Sequence, residues 1–143
     1  MLLLIFNYYI AGSSKEETVA FQLKDLRDLV EKYHLRKPLI PVVGNHEVNI
    51  EPIDNRYEKI FSKIYSDVIL DNFLKGYNKT VYYKDFHDTR LIVLNAFHSG
   101  SIHRIDKEQL DWFEKIASEN IKNKFVFIHS PAFFNCRCRN ELY

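Results

Sequence analysis

The sequence predicts an α/β fold, and three observations lead to this prediction. Residues 2–6 and 39–43 are short apolar runs typical of buried strands, and a helical pattern lies between them. Strand, helix and strand in this order form a βαβ unit, which pairs its two strands in parallel. A later apolar run, residues 124–128 (KFVFI), indicates a further buried strand. The 143 residues are about one domain's length, and we expect a single domain over residues 1–143.

The first apolar run, residues 1–12 (MLLLIFNYYIAG), is too short to span a bilayer, which takes roughly 20 apolar residues. No positive charge precedes it, as a signal peptide would require, although the small residues 11–13 leave a cleaved signal open. A buried parallel strand is the favoured interpretation.

The first helix is predicted after this strand. Ser13 and Ser14 each have a glutamate three residues later, which is the spacing of a capping box. Pro38 ends the helical pattern. Its apolar stripe consists of Val19, Leu23, Leu26, Val30 and Tyr33.

The segment GNHE, residues 44–47, directly follows the strand predicted over residues 39–43. A second amphipathic helix comes next, with Asp54 as its N-cap. Its apolar positions are Tyr57, Ile60, Phe61, Ile64, Tyr65 and Val68.

A hairpin is predicted from two β-rich runs, residues 80–86 and 90–96, which are joined by a short polar turn. Asp106 with Gln109 opens a third helix. The apolar face of that helix is predicted to consist of Leu110, Phe113 and Ala117.

Composition and charge limit the classes of function. Hydrophobic residues make up 46% of the chain and charged residues 27%, which is ordinary for a globular protein. Twenty lysines and arginines against nineteen acidic residues leave a net charge of +1. This balance argues against nucleic acid or a membrane as the main partner.

The two cysteines, Cys136 and Cys138, cannot cross-link a secreted scaffold, and we expect a cytoplasmic protein. They also lack the four ligands of a structural zinc site. Between Arg137 and Arg139, a reactive thiol and an inert tail both stay open.

Polar side chains follow two of the predicted strands at their carboxyl ends, where ligands collect in open α/β sheets. Asn45 and His46 follow the first of these strands, and His129 follows the second. Imidazole is a common metal ligand, and an amide oxygen can complete such a site. A histidine beside a metal site can also protonate a leaving oxygen, which suits phosphate-ester hydrolysis.

These segments resemble the calcineurin-like metallophosphoesterases. Residues 41–47 (PVVGNHE) resemble the GNH[D/E] block of that family. Residues 127–131 (FIHSP) are similar to its later block, in which a metal-binding histidine ends a strand. The hairpin with Leu94 and Asn95, and residues 109–112 (QLDW), resemble its middle segment. The resemblance covers about residues 2–131.

The resemblance implies a fold, a chemistry and roles for particular residues. The fold would be a sandwich of two mixed β-sheets flanked by helices, incomplete in this chain. Asn45 and His129 would be ligands of the second metal, and His46 would be the catalytic acid, oriented by Glu47. The cofactor would be a pair of divalent metals (Mn, Fe or Zn), and the substrate a phosphomonoester or phosphodiester.

The chain departs from the family pattern at both ends. The family's first Asp-x-His block has no counterpart, and Phe6-Asn7 stands where a Gly-Asp with its metal-bridging aspartate should be. No histidine follows His129, so the closing Gly-His-x-His block is absent as well. We therefore expect a domain truncated at both ends. Two functions stay open: a metal-dependent phosphoesterase, or a catalytically inactive homologue that serves as a binding module.

The remaining histidines are predicted to have smaller roles. His34 is interpreted as a cation at a helix C-terminus, and His87 is predicted to lie in a solvated turn. His98 and His103 lie in the loop before the third helix, where a substrate-side role for either stays open.

Overall fold

A computed structural model describes residues 15–33, 38–48, 55–100 and 103–130. Within these ranges the elements, in chain order, are α1 (Glu16–Tyr33), α2 (Asn45–Val48), α3 (Arg56–Ile64), β1 (Tyr82–Phe86), β2 (Thr89–Val93), a short 3-10 helix (His98–Gly100), α4 (Lys107–Ser118) and β3 (Asn123–Phe127). The prediction of an α/β fold is confirmed in this general form.

The three described strands form one mixed sheet in the order β1-β2-β3. β1 and β2 are antiparallel neighbours, so the predicted hairpin is confirmed, with His87 at positive φ in its exposed turn. β2 and β3 are parallel and are connected through α4. β2, α4 and β3 therefore form a strand–helix–strand unit, whereas the unit predicted from residues 2–43 is not observed in the described part of the chain.

Both faces of the central strand β2 carry apolar clusters, because its successive side chains point to opposite faces. Leu91 and Val93 contact one apolar cluster, to which α1 and α3 contribute Val19, Leu23, Tyr57 and Phe61. Ile92 belongs to a second cluster on the other face, with Ile116 of α4. All three of these β2 side chains are fully buried, so β2 is the centre of the described core.

The strand predicted over residues 39–43 is not formed among the described residues, since residues 38–44 join no ladder. Pro41 has no N–H and cannot donate to a ladder. Its carbonyl instead accepts a 2.8 Å hydrogen bond from the buried hydroxyl of Tyr82. The segment is held to β1 by a side chain, and it still buries Ile40 and Val43.

Three predictions about burial are wrong. β3 is exposed at its middle rather than buried, with Phe125 50% and Val126 44% exposed. The buried residues of α4 are Gln109 and Ile116, whereas Leu110 is 49% exposed. Tyr33, predicted on the apolar stripe of α1, is exposed, since the helix ends there.

The N-cap of α4 is confirmed: Asp106 accepts a 2.9 Å hydrogen bond from the Gln109 N–H. Other predictions fall outside the described residues. They concern the strand over residues 2–6, the capping box at Ser13 and Ser14, His34, the cap Asp54, and the cysteines Cys136 and Cys138.

Candidate functional site

The GNHE segment forms a tight turn into α2, a single helical turn that the sequence did not predict. The Glu47 carboxylate accepts a 2.7 Å hydrogen bond from the backbone N–H of Gly44, three residues earlier. Burial raises the pKa of Glu47, against the lowering effect of this hydrogen bond and of the charge of His46. Glu47 thus stabilises the turn through its hydrogen bond to Gly44. Its predicted role, to orient the neighbouring His46, stays a prediction.

Asn45 and His129, predicted to act on the same metal, are in contact. Nε2 of His129 lies 3.0 Å from Oδ1 of Asn45, although the two residues are 84 positions apart. Asn45 begins α2, and His129 lies two residues beyond the end of β3. The fold therefore brings together the start of α2 and the segment after β3, which were linked in the sequence only by the resemblance of their motifs.

The imidazole of His129 also lies directly against the backbone of Gly44. A Cβ at position 44 would be 2.9 Å from Nδ1 of His129 and 2.7 Å from Oε2 of Glu47. Real Cβ atoms do not approach other atoms so closely. Glycine is therefore needed here for space, because the histidine ring and the Glu47 carboxylate occupy the position of a side chain.

The distance between Oδ1 of Asn45 and Nε2 of His129 equals that between two ligand atoms of one cation. Two ligand atoms at ~2.1 Å from one cation, and at a right angle to each other, lie ~3.0 Å apart. The contact is a hydrogen bond when Nε2 carries a proton, and a bare Nε2 offers its lone pair beside the amide oxygen. Within the described ranges, no group of three or more histidine, cysteine, aspartate or glutamate side chains is placed to hold a metal ion.

His46 is exposed beside this pair, as a proton donor to a substrate must be. It is close enough for its charge to affect His129: burial is the largest cause of the lowered pKa of His129, followed by the charges of His46 and His103. The structure thus brings all three predicted site residues, Asn45, His46 and His129, into one region.

His103 lies in the same region. The sequence left its role open. Its Nδ1 lies 2.8 Å from the hydroxyl of Ser130, the residue after His129. The ring of the buried Phe97 packs near both histidines, with its centroid 5.2 Å from that of His103 and 5.9 Å from that of His129. His103 is therefore in contact with the residue next to His129, and its substrate-side role stays a prediction.

A second polar cluster was not predicted at all, and it lies at Glu58 of α3. This carboxylate is fully buried and accepts hydrogen bonds from Asn78 and Asn95. Asn95 also donates to the hydroxyl of the buried Thr80 and accepts from the Phe97 N–H. Glu58 follows an apolar residue in an amphipathic pattern, where a glutamate normally faces water, so the sequence contains no signal for its burial.

No protein-family model matches the chain, and no curated protein and no solved structure matches it significantly. Among the described residues, no helix is both long and apolar enough to cross a membrane.

Proposed function

We propose that this chain carries part of the active site of a metal-dependent phosphoesterase related to the calcineurin-like metallophosphoesterases. The substrate class is a phosphomonoester or a phosphodiester. The described residues form one mixed sheet, and the second sheet that such a fold would contain is part of the proposal.

The observation that carries the proposal is the 3.0 Å contact between Asn45 Oδ1 and His129 Nε2. The resemblance assigns both atoms to one metal, and it does so from two motifs that are far apart in the chain. A chance resemblance in either motif would not require the two side chains to meet. The space that Gly44 leaves for the His129 ring supports the same assignment.

The roles of the residues follow from their positions. Asn45 and His129 would hold the cation, which when bound would polarise the phosphoryl oxygens of the ester and lower the pKa of a bound water. His46, exposed beside the pair, would donate a proton to the leaving oxygen. Glu47 would keep the turn in place through its hydrogen bond to Gly44.

The test uses the whole chain with Mn²⁺, measuring bound metal by titration calorimetry and hydrolysis of bis-p-nitrophenyl phosphate. Asn45→Ala and His129→Ala should lose metal binding and turnover together. His46→Ala should keep the metal and lose roughly 10²- to 10⁴-fold in turnover, the usual contribution of a general acid.

The matched control is His87→Asn, which removes a histidine in the β1–β2 turn, at the opposite end of the sheet from His129. Asparagine tolerates the positive φ of that position. Metal binding with no turnover in the wild type would favour the alternative of an inactive homologue that serves as a binding module. No metal binding in the wild type, or equal loss in the control, would overturn the proposal.

A further inference from the structure

The loop after β2 contains a histidine that is paired with a buried carboxylate. Nδ1 of His98 lies 3.0 Å from both carboxylate oxygens of Glu58. The side chain of Glu58 is completely buried and that of His98 is 17% exposed. Since a carboxylate only accepts hydrogen bonds, it fixes the proton of this imidazole on Nδ1 and leaves a lone pair on Nε2.

Ser99 places a hydroxyl at that second nitrogen. Its Oγ lies 3.5 Å from Nε2 of His98, and the residue is exposed to solvent. The distance is longer than a good hydrogen bond, as is common between a nucleophile and its base before substrate binds. Serine, imidazole and buried carboxylate thus follow one another in the order of a catalytic triad.

The backbone conformation of Ser99 is unusual. Its φ of 47° and ψ of 41° lie in the left-handed region, which non-glycine residues rarely adopt. The Ser99 N–H donates a 3.2 Å hydrogen bond to Glu58 Oε1, so the same carboxylate that holds the imidazole also holds this backbone. Residues in such strained conformations are concentrated at active sites.

The surroundings keep the histidine and the carboxylate in place. The ring of Tyr77 stacks on His98, with centroids 4.0 Å apart, and its hydroxyl donates to Asp106 at 2.8 Å. Asn78 and Asn95 both donate to Glu58. This network positions Glu58 and His98 against each other without covering Ser99.

We propose that Ser99 is the nucleophile of an esterase site, with His98 as its general base and Glu58 as the positioning residue. Ser99 Oγ forms a bond to the carbonyl carbon of an ester while its proton passes to Nε2 of His98. The carbon–oxygen bond to the alcohol breaks, and the alcohol leaves with that proton. A water molecule, deprotonated by His98, then releases the acid and restores Ser99.

The charges around His98 favour neutral carboxylic esters as substrates. Glu58, Asp106 and Glu108 all act electrostatically on this histidine. Three acidic groups repel an anionic phosphate ester, whereas a neutral ester experiences no such repulsion. The site shares no residue with the proposed phosphoesterase site, which uses Asn45, His46 and His129.

The test is covalent labelling of the whole chain with a fluorophosphonate probe, located by peptide mass spectrometry, beside hydrolysis of p-nitrophenyl acetate. Labelling should fall on Ser99, and it should disappear in Ser99→Ala and fall at least 100-fold in His98→Asn. Ser99→Gly suits the positive φ, so loss of labelling there excludes strain relief as the cause. The control Ser118→Ala, at an exposed serine bonded to the Lys115 carbonyl, should label fully.

Two further measurements separate the roles. Glu58→Gln should shift the midpoint of labelling against pH downward, which a merely structural role of Glu58 would not do. Asn45→Ala and metal chelation should leave labelling unchanged, so failure of the phosphoesterase proposal does not affect this one. Absence of labelling at Ser99, or labelling that persists in His98→Asn, would overturn the proposal.

Discussion

The ring of His129 takes the space that a side chain at Gly44 would need. A Cβ on Gly44 would come within 2.9 Å of Nδ1, in a turn that Glu47 already closes with a hydrogen bond. The position of the His129 ring thus depends on the absence of a side chain at Gly44. A substitution at Gly44 can test this dependence without changing either proposed metal ligand.

Gly44→Ala should displace His129 from Asn45 and weaken Mn²⁺ binding at least tenfold in titration calorimetry. Gly76→Ala is the comparison, since nothing lies within 4 Å of a Cβ there and its φ of +90° makes the change unfavourable for the backbone alone. It should cost about 1 kcal/mol of stability and leave metal affinity unchanged. Equal metal affinity in both variants would contradict the steric argument.

The pairing of His98 with Glu58 predicts a pH-dependent contribution to stability. Burial lowers the pKa of His98, but the hydrogen bond and charge of Glu58, with the charges of Asp106 and Glu108, outweigh it, so the net pKa is raised. A raised pKa stabilises the fold fully below the unfolded value of about 6.5, and this stabilisation is lost as the pH rises through the folded value.

Urea unfolding of the wild type and of His98→Asn between pH 5.5 and 9 checks this. The difference in unfolding free energy should be largest at the acid end and should shrink as the pH rises. A difference that stays constant, or that grows with pH, would show that the histidine is not charged by its contact with Glu58.

Asn95 holds the buried polar cluster together, because its amide donates to Glu58 and Thr80 and accepts from the Phe97 N–H. Asn95→Ala should cost about 3 kcal/mol, since it leaves buried polar groups without a partner. Asn120→Ala, at an exposed position, should change stability by less than about 0.5 kcal/mol. Chemical denaturation measures the unfolding free energy of both variants. Similar losses in the two would show that the buried polar cluster does not stabilise the fold.

The central strand should be the most sensitive part of the apolar core. Leu91 is fully buried on β2, so Leu91→Ala should cost about 2–5 kcal/mol. Leu110→Ala removes the same atoms from a half-exposed position on α4, and its cost should be below about 1 kcal/mol. Thermal melts of the two variants test this order. A larger loss of stability in Leu110→Ala than in Leu91→Ala would contradict it.

Sequence patterns were sufficient where a local signal and the tertiary structure agree. The hairpin and the Asp106 cap of α4 were predicted from short-range chemistry and are formed. The contact of Asn45 with His129 follows from two polar motifs placed after two apolar runs. The run containing Pro41 nevertheless forms no strand with the described part of the chain, although it leads directly into Asn45.

Patterns of apolar residues failed where polar groups occupy the interior. α4 buries Gln109 in place of Leu110 because the Gln109 amide exchanges two hydrogen bonds with the backbone of Asn95, at 3.1 and 2.9 Å. Glu58 is buried because donors from two separate segments meet it, Asn78 before β1 and Asn95 with His98 after β2. Periodicity counts only apolar side chains, so partners brought together by the tertiary fold leave no trace in it.

The exposure of β3 affects the fraction of time during which His129 and Asn45 are in contact. Phe125 and Val126 are about half exposed, whereas the β2 side chains are fully buried, so β3 should open locally more often than β2, and its amides should exchange with solvent faster. His129 lies two residues beyond this strand, so we expect each opening to separate it from Asn45 as well. A cation held by both residues would slow the exchange of β3 in proportion to its occupancy, and amide protection there becomes a direct readout of binding.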